Sequence, residues 1–76
     1  MGGQEFEQNV LQYLGTKYKE NMIVKEVDLD YFHGTYWARV HPAGHPEYIF
    51  SVRVDGLGKF HDTYKKVLGE KRAGME

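Results

Sequence analysis

No cysteine occurs anywhere in this 76-residue chain. That excludes a disulfide staple, a thiolate nucleophile and the cysteine-rich zinc sites. Serine occurs once, as Ser51 in the middle of an apolar run, and no neighbouring pattern supplies an oriented base for it. No apolar stretch approaches the roughly 20 residues of a membrane-spanning helix. Charge of one sign is missing too. The net charge is −1 with histidine neutral, so the chain as a whole exerts no pull on nucleic acid or anionic lipid.

Aromatic residues, by contrast, make up 14% of the chain. A domain this short buries only about 60% of the surface it exposes when unfolded. Phe6, Tyr13, Tyr18, Tyr31, Phe32, Tyr36, Trp37, Tyr48, Phe50, Phe60 and Tyr64 are therefore expected to carry much of the apolar payload that holds it together. The composition is that of one small globular domain.

Phe6, Val10, Tyr13, Leu14 and Tyr18 recur at helical spacing with Glu and Gln between them, which predicts an amphipathic helix from about Gln4 to Tyr18. From Met22 to Asp30 the period becomes two. Ile23, Val27 and Leu29 fall on one face, and Glu26, Asp28 and Asp30 on the other. Lys25 lands on the apolar face, which predicts an edge strand or a bulge there. His33-Gly34 reads as a turn.

Next, Tyr36, Ala38 and Val40 alternate with Trp37, Arg39 and His41, and the Pro42–Pro46 loop ends that strand. Phe50, Val52 and Val54 then alternate with Ile49, Ser51, Arg53 and Asp55 up to Gly56-Leu57-Gly58. Asp62 is positioned to cap a second helix whose apolar stripe is Tyr64, Val67 and Leu68. Gly69 is expected to stop it. The expected fold is α+β, a single small two-layer domain over residues 4–69 in the order helix, three-stranded antiparallel sheet, helix. Residues 70–76 read as a frayed tail.

One sheet face is then left uncovered, and it carries Trp37, Arg39 and Arg53. An indole flanked by guanidinium groups on a solvated strand surface is an amphipathic platform of the kind enriched in binding sites. His41 and His45, brought close by the Pro42–Pro46 loop, form a second candidate. Imidazole suits zinc, nickel or copper, but the second ligand pair of a structural site is missing. Gly56-Leu57-Gly58-Lys59 stands between strand and helix, where phosphate loops occur. The Walker spacing nevertheless puts Arg53 and Phe60 where glycine and Ser or Thr belong, so the segment reads as an Asp-Gly turn. Nothing in the sequence indicates an enzyme or a cofactor.

Two resemblances add expectations. Pro46-Glu-Tyr-Ile-Phe-Ser-Val-Arg-Val, followed by Gly58-Lys59 and Lys65-Lys66, is similar to the third strand and last helix of double-stranded-RNA-binding domains. That likeness implies phosphate contacts by Lys59, Lys65 and Lys66. The chain departs from it in its slight net acidity and in His61-Asp62, where that family starts its helix with a lysine cluster. An aspartate there repels phosphate.

The pattern Tyr36, Val40, Pro42, Gly44, Pro46, Phe50, Val52, then Asp62 and Tyr64, resembles small domains of exported or lipid-anchored proteins of Gram-positive bacteria. This second likeness implies an envelope-associated accessory domain with a protein or envelope component as partner. No signal peptide or lipid-anchor cysteine is present, and the opening Met-Gly-Gly reads as the start of a domain cut from a longer chain. With a removed leader ahead of it the domain is extracytoplasmic, and without one cytoplasmic.

The expectation is therefore a non-enzymatic binding module that holds a protein or small ligand on its open sheet face. RNA-duplex binding by the second helix and a histidine metal site stand as alternatives.

Overall fold

The structure, a computed structural model, describes residues 2–74, with side chains described for 3–71. Helix α1 (Gly2–Tyr18) is followed by strands β1 (Met22–Asp30), β2 (Thr35–Pro42), β3 (Phe50–Val54) and β4 (Phe60–Asp62), and then by helix α2 (Tyr64–Gly74). The strands form one antiparallel meander in the order β1-β2-β3-β4. The architecture is α+β, with four strands rather than the three expected. The fourth is only three residues long, so it offers no alternation to read. It is defined by its pairing, Val52 with Asp62 and Val54 with Phe60.

The core forms where the stripe of α1 meets one face of the sheet. Phe6, Val10 and Leu14, spaced i, i+4 and i+8, lie against Ala38 and Val40 of β2, Phe50 and Val52 of β3, and Tyr64 of α2, and all eight are buried. Aromatic contacts link the layers. Phe6 stacks on Tyr36 at 5.6 Å, Tyr13 on Phe60 at 5.1 Å, and Phe50 meets Tyr64 at 4.7 Å. Among the described residues no buried side-chain N or O lacks a partner, as expected where burial makes an unmet hydrogen bond costly.

Lys25 is indeed the extra residue of a β-bulge: the register with β2 shifts between Val24 and Glu26. The bulge also changes which residues share a face. Val24 pairs with Val40 and Val27 with Ala38, both on the helix side, whereas Ile23 pairs with His41 on the open side. Ile23 is accordingly 46% exposed, and the expected grouping of Ile23 with Val27 and Leu29 is corrected. One extra residue reverses a period of two.

Helix α1 ends at Tyr18 as expected, whereas the end of α2 differs from expectation. α1 is closed by Lys19, which adopts a left-handed φ of 57° while its N–H bonds the Gly15 carbonyl at 3.1 Å. This is the cap geometry usually filled by glycine. α2 continues through Gly69 to Gly74, so Gly69 does not end it and residues 70–74 are helical. Residues 75 and 76 lie outside the described part. Among the described residues no helix is long and apolar enough to cross a membrane.

Candidate functional site

The helices cover one face of the sheet and leave the other open. Two turns stand at the same end of the meander, β1–β2 (residues 31–34) and β3–β4 (residues 55–59), and each is organised by the aspartate before or at its start. Asp30 Oδ1 accepts the N–H groups of Phe32 and His33, and Gly34 closes the turn with φ 66° and an N–H to the Asp30 carbonyl at 2.7 Å. Asp55 Oδ1 accepts the N–H groups of Leu57 and Lys59 at 2.8 and 2.9 Å. These are the side-chain-to-backbone bonds that make aspartate a turn former.

The second oxygen of each aspartate faces a histidine. His33 Nδ1 lies 2.8 Å from Asp30 Oδ2, and His61 Nε2 lies 2.8 Å from Asp55 Oδ2. An ionised carboxylate only accepts, so each of those ring nitrogens carries the proton. The His61 bond, helped by the Lys59 N–H, holds Asp55 down to about 2. His33 lowers Asp30 below the ordinary carboxylate value in the same way.

Between these turns the open face forms a groove of about 580 Å³, within the range of small-ligand sites. Thr35 and Trp37 of β2 and Ser51 and Arg53 of β3 contribute to its lining, with Asp30, His33 and Asp55 at the turns. Trp37 and Arg53 are cross-strand partners. Among the described residues the Arg53 guanidinium, the Trp37 indole N–H and the Ser51 hydroxyl make no hydrogen bond or ion pair. The turns beside the groove expose large apolar side chains, Phe32 at 98%, Tyr31 at 88% and Leu57 at 86%.

Of the three residues expected to form the site, Trp37 and Arg53 thus come together in one groove. Arg39 stands beside it. Its guanidinium lies 5.7 Å from the Trp37 ring centroid and 3.8 Å from Glu26 Oε2, so it supports the indole and is half engaged elsewhere.

His41 and His45 are each turned to a neighbour. His41 Nδ1 donates to the Pro42 carbonyl at 2.9 Å, while His45 Nδ1 meets Glu47 at 3.2 Å and its ring stacks on Tyr48 at 4.5 Å. No group of three or more His, Asp or Glu able to hold a metal ion occurs among the described residues. Lys59 sits in the β3–β4 turn, and Lys65 and Lys66 in the first turn of α2, all exposed. That helix start also carries the Asp62 carboxylate, which accepts the Tyr64 N–H at 3.2 Å.

Asp62 itself is the centre of a polar cluster that the sequence did not reveal. Its side chain is 1% exposed. It accepts the Tyr13 and Tyr18 hydroxyls, both at 2.6 Å, and the Lys17 ammonium at 2.9 Å. Burial would raise its pKa, but the bonds from Tyr13, Tyr18 and Lys17 outweigh burial and hold it at about 2. Burial first, and the bond to Asp62 second, push Tyr18 up to about 12. A carboxylate this depressed is no general acid or base near neutrality, and a phenol this raised is no nucleophile. The cluster is a tie between α1, β4 and α2.

A second, shallower concavity of about 530 Å³ runs along α1 beside Phe60. It uses Tyr13 and Lys17, whose polar ends already serve Asp62.

Asp55 does orient His61, yet the imidazole makes no hydrogen bond to Ser51 among the described residues, so the three do not form a nucleophilic triad. The chain is thus a small two-layer α+β domain with a donor-lined groove on the uncovered face of its sheet. No protein family, curated protein or solved structure matches it.

Proposed function

We propose that this domain is a non-enzymatic binding module, an accessory domain of cell-envelope type, that takes its ligand on the open sheet face at Trp37 and Arg53. One observation carries the reading: a free guanidinium and a half-buried indole face each other across β2 and β3 inside a groove of ligand size. Ordinary solvated sheet faces scatter such residues singly. Here two turns, each fixed by an aspartate, close one end of the groove that holds them.

The test is amide-resolved NMR of the labelled domain against fractionated cell-envelope extract, and separately against a ~16-base-pair RNA duplex at low salt, the length one RNA-duplex domain spans. Envelope components are expected to move the signals of Thr35, Trp37, Ser51, Arg53 and Gly56, and Trp37→Ala together with Arg53→Ala to abolish those shifts. Shifts that survive both substitutions would overturn the site. Salt-sensitive shifts at Lys59, Lys65 and Lys66 with RNA would replace the reading.

A further inference from the structure

We infer that the groove takes a small aromatic carboxylate, with the ring lying on Trp37 and the carboxylate held by the Arg53 guanidinium. This inference rests on the reading of the open face as a binding site and specifies its ligand.

By formal charge the groove is not basic: Asp30 and Asp55 line it together with Arg53. Hydrogen-bonding capacity decides the matter instead. Asp30 spends Oδ1 on two backbone N–H groups and Oδ2 on His33. Asp55 spends Oδ1 on two more and Oδ2 on His61. Their bonds point back into their own turns, which weakens any claim on a ligand cation. What stays unmatched among the described lining side chains is the guanidinium of Arg53 and the indole N–H of Trp37, which only donate, and the Ser51 and Thr35 hydroxyls, which can donate or accept.

A planar guanidinium is matched best by a two-oxygen anion, which it binds through paired N–H groups. An indole face is matched by a flat apolar body in offset stacking. The two residues are direct neighbours across strands, about 5 Å apart at Cβ, so one compact molecule spans both. The turns at residues 31–34 and 55–59 both stand at one end of the groove and close that end. A volume of about 580 Å³ therefore suits a molecule of one or two rings, and that commits the occupant to a free small molecule rather than an extended peptide.

The probes are biphenyl-4-carboxylate, the matched neutral biphenyl-4-methanol, the matched cation biphenyl-4-methylamine, and the peptide Gly-Gly-Phe with a free C-terminus. The chain holds one tryptophan, so its single indole N–H resonance reports the site directly, and the Arg53 side-chain N–H provides a second reporter. The carboxylate is expected to shift both with a Kd of about 1 mM or tighter, as drug-like ligand efficiency allows for a molecule of about 15 heavy atoms. The alcohol should bind at least about tenfold more weakly, and Arg53→Met should lower carboxylate affinity by about the same factor, the worth of a charge-assisted bond. Arg53→Lys should recover only part of it, because the bidentate geometry is lost. Arg53 is exposed, and the unchanged remainder of the spectrum checks that each variant is folded.

Equal affinity for acid and alcohol, or tighter binding of the amine at the same resonances, overturns the ligand class while leaving the open face as the binding site. Tighter binding of the peptide there overturns the small-molecule assignment alone. Absence of any shift at Trp37 with all four probes overturns this inference, and the envelope-extract experiment then decides independently whether the open face binds anything.

Discussion

Replacing Asp62 with asparagine should cost about 2 kcal/mol of folding stability, a figure reached from the bonds themselves and from the pKa shift those same bonds produce. The carboxylate accepts four bonds, from the Tyr13 and Tyr18 hydroxyls, the Lys17 ammonium and the Tyr64 N–H. Asparagine is nearly isosteric but keeps one accepting oxygen. With that oxygen toward Tyr18 and Tyr64, those two bonds weaken from charged to neutral. The amide NH2 facing Lys17 accepts nothing and obliges the Tyr13 hydroxyl to turn and accept from it. That is a loss of about 1 kcal/mol for each of the two short phenolic bonds, with the Lys17 charge left uncompensated but near water. The second route is linkage. Asp62 is held at about 2 against an ordinary 3.8, which corresponds to about 2 kcal/mol of stability.

The sign follows from the direction of the shift. A lowered folded-state pKa contributes stability that is fully present above pH 4 and is lost as pH falls from about 4 to about 2. Asp30 and Asp55 are lowered as well, so the part owed to Asp62 is the difference between the two proteins. Urea unfolding followed by far-UV circular dichroism at pH 7, 4 and 2.5 measures it. At pH 7 the variant should be weaker by about 2 kcal/mol, or roughly 8–16 °C in Tm for a domain of this size. At pH 2.5 the gap should narrow markedly. A variant within 0.5 kcal/mol of the parent at pH 7, or one with an identical acid slope, would refute the view that this cluster ties the helices to the sheet.

The bulge at Lys25 predicts opposite sensitivities at adjacent positions. Ile23→Thr on the open face should cost less than about 0.5 kcal/mol, and Val24→Thr, which puts a hydroxyl against the core, about 1–2 kcal/mol by the same urea assay. The reverse order would show that β1 alternates without a break. Lys19 holds a left-handed backbone at the end of α1, so Lys19→Gly should raise stability by about 0.5 kcal/mol, relief of strain exceeding the added unfolded-state entropy. A loss of stability there would contradict the cap.

What the sequence made legible was periodicity. The i, i+4, i+8 stripe of Phe6, Val10 and Leu14 located α1, and the strict alternation through Tyr36, Ala38 and Val40 and through Phe50, Val52 and Val54 located β2 and β3. It also assigned the helix-side and open faces of those two strands, and so placed Trp37 and Arg53 on the same open face; their direct pairing came from the register. Features that depend on pairing across the sheet were not legible. Lys25 breaks the pattern visibly, but only the register against Val40 and Arg39 shows that Ile23 moves to the other face. Three residues of β4 carry no period. Gly69 fails to end α2 because its penalty is only about 1 kcal/mol and good helix formers, Glu70 and Lys71, follow it. The Asp62 cluster joins residues 44 to 49 positions apart, beyond any local pattern.

The two faces of the sheet are organised in opposite ways. On the helix side every buried polar atom among the described residues is matched, and the one buried carboxylate gathers donors from two helices. A chain of this length has a stability of roughly 4–11 kcal/mol, so a cluster contributing about 2 kcal/mol is a substantial part of what keeps it folded. On the open side Arg53 has no partner among the described residues, although Asp30 and Asp55 line the same groove. A guanidinium beside two carboxylates would ordinarily pair with one of them. Here His33 and His61, together with four turn N–H groups, already bond those carboxylates and so compete with Arg53 for them. The turn aspartates and their histidines thus do more than shape two loops. The histidines' competition for the groove's carboxylates is what the proposed anion at Arg53 requires.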